Sequence, residues 1–141
     1  MGGPRMQMEI EFPGGARVDV AFGPHVVHTD QPVHAGGDDS APSPFDLFLA
    51  ALGACAGYYV LRFLQQRELP TADVRLTERV HTDPATGMTD RIELEFRLPA
   101  GFPEKYVPAL IRAAEKCSVK KHLAQPPAIM ITAVPERNAA S

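Results

Sequence analysis

Residues 43–68, SPFDLFLAALGACAGYYVLRFLQQRE, constrain the fold more than any other stretch of this chain. Ser43 can cap a helix, Pro44 suits its first position, and Asp46 lies three residues after the cap. Pro70 forbids much further extension. About 24 residues between those marks make a helix of roughly 36 Å. Its first half is apolar almost all round, so it must be covered on several sides. Everything else in the chain has to be arranged about it. Gly53 and Gly57 lie four apart and flank Cys55; they would let another backbone approach, each at a cost of about 1 kcal/mol in helix propensity.

The flanking segments read as strands and shorter helices. Met6, Met8, Ile10 and Phe12 alternate with polar residues, the period of a half-buried strand. Pro13-Gly14-Gly15 turns the chain, Val18, Val20 and Phe22 alternate again, and His25–Thr29 makes a third strand, giving an antiparallel meander. Residues 30–42 form a polar, glycine- and proline-rich loop of a length that often carries function. Val74, Leu76 and Val80, then Ile92, Leu94, Phe96 and Leu98, frame turn residues 83–87 and predict a long hairpin with one wet face. Residues 103–116 predict a second helix, in which Pro108 is tolerated only if the helix starts late. Ser118 would cap a short helix through Leu123, Pro126-Pro127 would end it, and Ile129–Val134 would form a last strand. Residues 1–5 and 135–141 are expected to fray. The predicted class is α+β, one domain over residues 1–141.

Composition narrows the function. The chain has 141 residues, enough for one domain with a real core. A net charge of −3 without a basic stripe argues against nucleic acid. The N-terminus lacks an apolar signal region, and the apolar run Leu47–Leu61 is short for a bilayer, so we expect a soluble, cytoplasmic protein without a membrane partner. Two cysteines are too few for a secreted disulfide framework, and no CxxC is present. Five scattered histidines, His25, His28, His34, His81 and His122, form no zinc-binding spacing. Neither metal nor cofactor is expected.

The two cysteines are the candidate chemistry. A thiol in an apolar helix usually only packs. It becomes a nucleophile as thiolate, and burial of Cys55 alone would oppose that. No lysine, arginine or histidine lies within one turn of it; Arg62 is seven residues on. Asp46 lies about 13.5 Å away along a straight helix and on its opposite side, so it cannot touch the sulfur directly. It either caps the helix or holds an arginine that reaches the sulfur. Cys117 follows the second helix among Lys116, Lys120 and Lys121. It is a packed residue or a resolving thiol, which needs less activation than an attacking one.

At these residues the chain resembles the OsmC-like family, which includes osmotically inducible protein C and the organic hydroperoxide resistance proteins. The resemblance rests on GGDDSAPSPFDLFLAALGACAGYYVLRFLQQR, on AAEKCSVKKHL and on the order of elements, and it covers nearly the whole chain. It implies an OsmC-like α+β fold with antiparallel sheets around a long central helix, built as an intertwined homodimer with two sites at the interface. It implies that Cys55 is the peroxidatic and Cys117 the resolving cysteine of a thiol-dependent peroxidase acting on a small organic hydroperoxide. It implies a dithiol reductant, often lipoyl-type. The family's arginine from the N-terminal strands corresponds most nearly to Arg17, and its acidic partner to Asp46, one place closer to the cysteine than in the hydroperoxide reductases. The other reading is a catalytically weak OsmC-like dimer that binds a small apolar ligand or senses redox state.

Overall fold

The computed structural model describes residues 3–136. Of the expected frayed ends, residues 1–2 and 137–141 lie outside the described residues. The long helix forms as read: α1 spans Pro44–Gln66, 23 residues, with Ser43 Oγ accepting the Asp46 N–H at 3.2 Å. It stops where Arg67 caps it, before Pro70. By length and composition α1 would also cross a membrane, which the shorter run Leu47–Leu61 did not indicate. Its buried face, however, is taken up by neighbouring elements of the same chain.

The strands come in two blocks. β1 (Glu9–Gly14), β2 (Arg17–Phe22) and β3 (His25–Thr29) form an antiparallel meander in sequence order. Ile10, Val20 and Val27 stand in one cross-strand row, Glu11, Asp19 and His28 in the next, so one face is apolar and the other polar. β4 (Arg75–Thr82) and β5 (Thr89–Arg97) form the predicted hairpin, with Leu76 opposite Phe96 and Val80 opposite Ile92. Val107–Ala114 is α2 and Ser118–Ala124 is α3. Residues 104–106 make one 3-10 turn before α2, so the helix does start late and Pro108 falls in its first turn. Val60, Phe63 and Leu64 of α1 pack on Leu110 and Ala113 of α2; Leu52 and Ala56 pack on Cys117.

Three expectations are corrected. Ile129–Val134 is not a strand: it is unpaired, with Ile129, Met130, Ile131 and Val134 each more than 80% exposed. A strand needs a neighbouring edge, and its own chain brings none to it. Gly53 and Gly57 admit side chains, not a backbone. A Cβ at Gly53 would collide with the Glu78 carboxyl, and one at Gly57 would meet Leu76 at 3.7 Å. Ser118 does not cap α3; Cys117 does, its sulfur accepting the Lys120 N–H.

Loop 30–43 is tied down rather than open. Asp30 has no exposed surface. Its carboxylate accepts from the Gln31, Asp38 and Ser40 N–H groups and from the Ser40 hydroxyl. Gly37 passes so close to Gln31 and Asp30 that no Cβ fits there. The Ser40 hydroxyl first, then the backbone donors, outweigh burial and hold the Asp30 carboxyl at about 2 against an ordinary 3.8. The unfolded chain therefore binds more protons between those values. The stabilisation is full above 3.8 and is lost as pH falls towards 2. Asp30→Asn is expected to lower the urea midpoint at pH 7, with the two proteins converging near pH 2. Identical midpoints at pH 7 would show that this loop anchor contributes nothing.

Candidate active site

Two helices bring the sulfurs together. Cys55 sits mid-way along α1, half-buried, and Cys117 is buried at the junction of α2 and α3. Both are free thiols. The Cys117 sulfur accepts the Lys120 N–H at 3.4 Å and lies 3.9 Å from the Leu52 carbonyl of α1. This dual contact pins the start of α3 against the first half of α1. Because the Cys117 sulfur fills the cap position, the Ser118 hydroxyl is left to face Cys55, at 3.7 Å.

The surroundings treat the two thiols differently. Burial pushes Cys55 up, but the Val119 N–H, the Cys117 thiol, and the Ser118 hydroxyl and N–H together outweigh it, and the thiol ends below its ordinary value. These donors point at the sulfur from the first turn of α3, where backbone N–H groups have no helical partner. Burial also pushes Cys117 up. The Lys120 N–H opposes this, and a negative Cys55 nearby adds to it, so Cys117 stays above its ordinary value. Of the two thiols, Cys55 is therefore the one that ionises more readily.

A cavity of about 390 Å³ opens at the start of α3, and neither sulfur lines it. Ser118 and Val119, which donate to Cys55, line it together with Phe48, His122, Leu123 and Ile129. It is largely apolar and suits an organic molecule. His122 Nδ1–H donates to the Ser118 carbonyl at 2.6 Å, which orients the ring on the cavity wall. Among the described residues, no group of three or more His, Cys, Asp or Glu stands close enough to hold a metal ion.

The other two sequence candidates lie apart from the sulfurs within this chain. Arg17 opens β2, and its Nε–H donates to the Gly14 carbonyl at 3.2 Å. It lines a separate cavity with Asp19, His28 and Ser40. Asp46 is exposed in the first turn of α1, where its N–H completes the Ser43 cap. Sequence reasoning missed Ser118 and Val119 as neighbours of the Cys55 thiol. The Cys-Ser pair ahead of a helix was the available signal, because a cysteine can occupy the capping place and release the serine.

The OsmC-like protein family model matches residues 37–132. The chain belongs to the OsmC-like family. The matched span runs from the loop before α1 to beyond α3, and so holds both thiols. Solved structures share the fold at low identity. One is a Psychrobacter arcticus 273-4 protein named for osmotic stress and detoxification response, with 18% identity, TM-score 0.70, and 86% of this chain and 88% of that one covered. An OsmC-like protein from Mycoplasma pneumoniae has 11% identity and TM-score 0.67 over 87% and 89% of the chains. An organic hydroperoxide resistance protein from Elizabethkingia anophelis has 19% identity and TM-score 0.60 over 89% and 91%. No curated protein matches the sequence. The mixed fold of three helices and antiparallel strands is the one these OsmC-like neighbours share.

The donors around Cys55 make a measurable difference. Alkylation of Cys55 by iodoacetamide, followed against pH by mass spectrometry, is expected to have its midpoint below that of a free cysteine. Ser118→Ala is expected to slow it roughly 3- to 10-fold at pH 7, the effect of one ordinary hydrogen bond, because this contact is long at 3.7 Å. A Cys55 midpoint at or above that of free cysteine would remove the electrostatic argument.

Proposed function

We propose that this OsmC-like protein is a thiol-dependent peroxidase that reduces organic hydroperoxides through Cys55 and Cys117. The observation that carries the reading is the asymmetric thiol pair. The first turn of α3 shifts one sulfur towards thiolate, 3.7 Å from the Ser118 hydroxyl, and burial shifts its neighbour towards the protonated thiol. The Cys55 thiolate attacks the distal oxygen of ROOH. The O–O bond breaks, an S–O bond forms, and Cys55 becomes a sulfenic acid that keeps the hydroxyl hydrogen. The alkoxide takes a proton and leaves as ROH. The Cys117 thiol then attacks the sulfenic sulfur, forming the disulfide and releasing water. An external dithiol, of lipoyl type, reopens the disulfide and becomes oxidised itself. The apolar cavity bordered by Ser118 and Val119, two of the residues that face Cys55, favours an organic peroxide over hydrogen peroxide. The cycle needs no metal or cofactor and fits a reducing compartment such as the cytoplasm.

The working form in this proposal is an intertwined homodimer around the long helices, in which a second copy brings Arg17 to the Cys55 thiolate and Asp46 orients it. Two unpartnered apolar surfaces support it. The meander leaves Ile10 53% and Phe12 80% exposed, and the extended tail leaves Ile131 92% exposed. Such continuous apolar exposure calls for a partner. An extended apolar tail that finds no edge in its own chain is suited to pairing with an edge strand of a second copy.

The alternative, a weakly catalytic dimer that holds an apolar ligand or senses redox state, is favoured by one observation. Among the described residues, no cation figures among the groups that shift Cys55. Turnover decides between the two. With cumene hydroperoxide and dihydrolipoamide, the wild type is expected to consume peroxide catalytically. Cys55→Ser is expected to fall to background, and Cys117→Ser to stop after one equivalent with a trapped sulfenic acid. Unchanged turnover in Cys55→Ser would refute the assignment.

Light scattering gives the oligomeric state directly, with twice the chain mass expected; a monomer would dismiss the shared site. Arg17→Ala is expected to slow Cys55 alkylation at pH 7 about tenfold if its cation faces the thiolate. No change in rate would exclude that role.

A further inference from the structure

We propose that the cleft between the C-terminal half of α1 and α2 is a binding site for a small polyphosphate-bearing molecule, distinct from the cavity at the start of α3. Arg62, Arg67, Arg112 and Lys116 line this cleft of about 510 Å³, and no acidic residue does. The chain as a whole carries more acidic than basic residues, 17 against 14. The convergence of four cations is therefore a local feature and not a by-product of a basic protein. Concave walls of low polarizability concentrate such a field.

The cations are free to bind. Among the described residues, none of the four has a carboxylate within ion-pair distance; the paired cations are elsewhere, at His28, Arg79, His81, Arg97 and Lys120. Glu115, next to Lys116 in sequence, is turned to Lys120 at 3.4 Å and lines the opposite cleft. Arg67 lies 4.0 Å above the Phe63 ring, a cation–π contact that leaves its N–H groups without a carboxylate partner among the described residues.

Helix electrostatics alone does not explain the cluster. Arg112 in the last turn of α2 and Arg67 at the C-cap of α1 are placed where a cation complements the helix dipole. Arg62 lies before the last turn of α1, and Lys116 beyond the end of α2, so the dipole accounts for two of the four. Three guanidinium forks and one ammonium exceed what a single carboxylate or phosphate can occupy. Two or more linked phosphates would satisfy them. Tyr58 and Tyr59 form an edge-to-face pair with centroids 5.4 Å apart at the cleft wall, a surface for a planar group. The volume suits a molecule the size of a nucleoside diphosphate.

Isothermal titration of the full-length protein tests this, with ADP, pyrophosphate and adenosine as probes. ADP and pyrophosphate are expected to bind saturably at one per chain, with Kd on the order of micromolar and weakening as salt rises. Adenosine alone is expected not to bind measurably. Arg62→Gln and Arg112→Gln are each expected to weaken ADP at least about tenfold without changing Tm, and Lys120→Gln, outside the cleft, to leave it unchanged. Absence of saturable binding by both anions would overturn the proposal, including the case in which a second copy closes the cleft. Equal affinity in the Arg62→Gln/Arg112→Gln double variant would overturn it as well. Peroxide turnover is not the readout, so failure of this site leaves the thiol chemistry untouched.

Discussion

The sulfur of Cys117, acting as the cap of α3, is the contact on which the site depends. It accepts the Lys120 N–H and lies against the Leu52 carbonyl of α1, so one buried atom joins α3 to α1. Were a serine to cap this helix, as its sequence invites, the hydroxyl would be spent on the backbone. With cysteine in that place, Ser118 and the first free N–H groups of α3 turn to Cys55. A short helix of 7 residues has little stability of its own. It is held by packing on α1, and Cys117 is part of that packing.

This arrangement separates two tasks usually given to one charged partner. Ionising a half-buried thiol requires compensation for lost hydration. Dipoles from the first turn of α3 supply it inside the chain, and they are fixed in place by the fold, so little reorganisation accompanies the appearance of charge. A full positive charge, if a second copy brings one, would add to a field already present. Cys117 receives the opposite treatment for a plain reason: burial, together with the more readily ionised Cys55 beside it, outweighs the Lys120 and Val119 N–H groups. The two thiols differ through geometry although their residue type is the same.

Polar groups also shape the faces of α1. Glu78 occupies an inward position of β4, opposite Leu94, where the hairpin's alternation calls for an apolar residue. Its carboxyl rests against Gly53, burial pushes it up, and one oxygen has no partner among the described residues. Only a glycine leaves room there, which explains one of the two helix glycines better than a second backbone would. On the other side of the helix, the cluster of Arg62, Arg67, Arg112 and Lys116 forms a field of opposite sign. Among the described residues, the helix that carries Cys55 is therefore flanked by an unpaired acid on one side and unpaired bases on the other.

The sequence by itself determined the elements whose cause is local. α1 was legible from its cap, its proline at the start and Pro70 beyond its end; the meander and hairpin were legible from alternation; the late start of α2 followed from Pro108. The family was legible too, because its motif surrounds Cys55 and Cys117 within those elements. Tertiary structure alone decided what depends on distant pairing. Whether Ser118 or Cys117 capped α3 turned on what α1 placed beside them. Whether Ile129–Val134 became a strand turned on an edge that its own chain does not bring. The polarity around Cys55 came from N–H groups more than sixty residues away, and a backbone donor leaves no mark in the identity of its side chain.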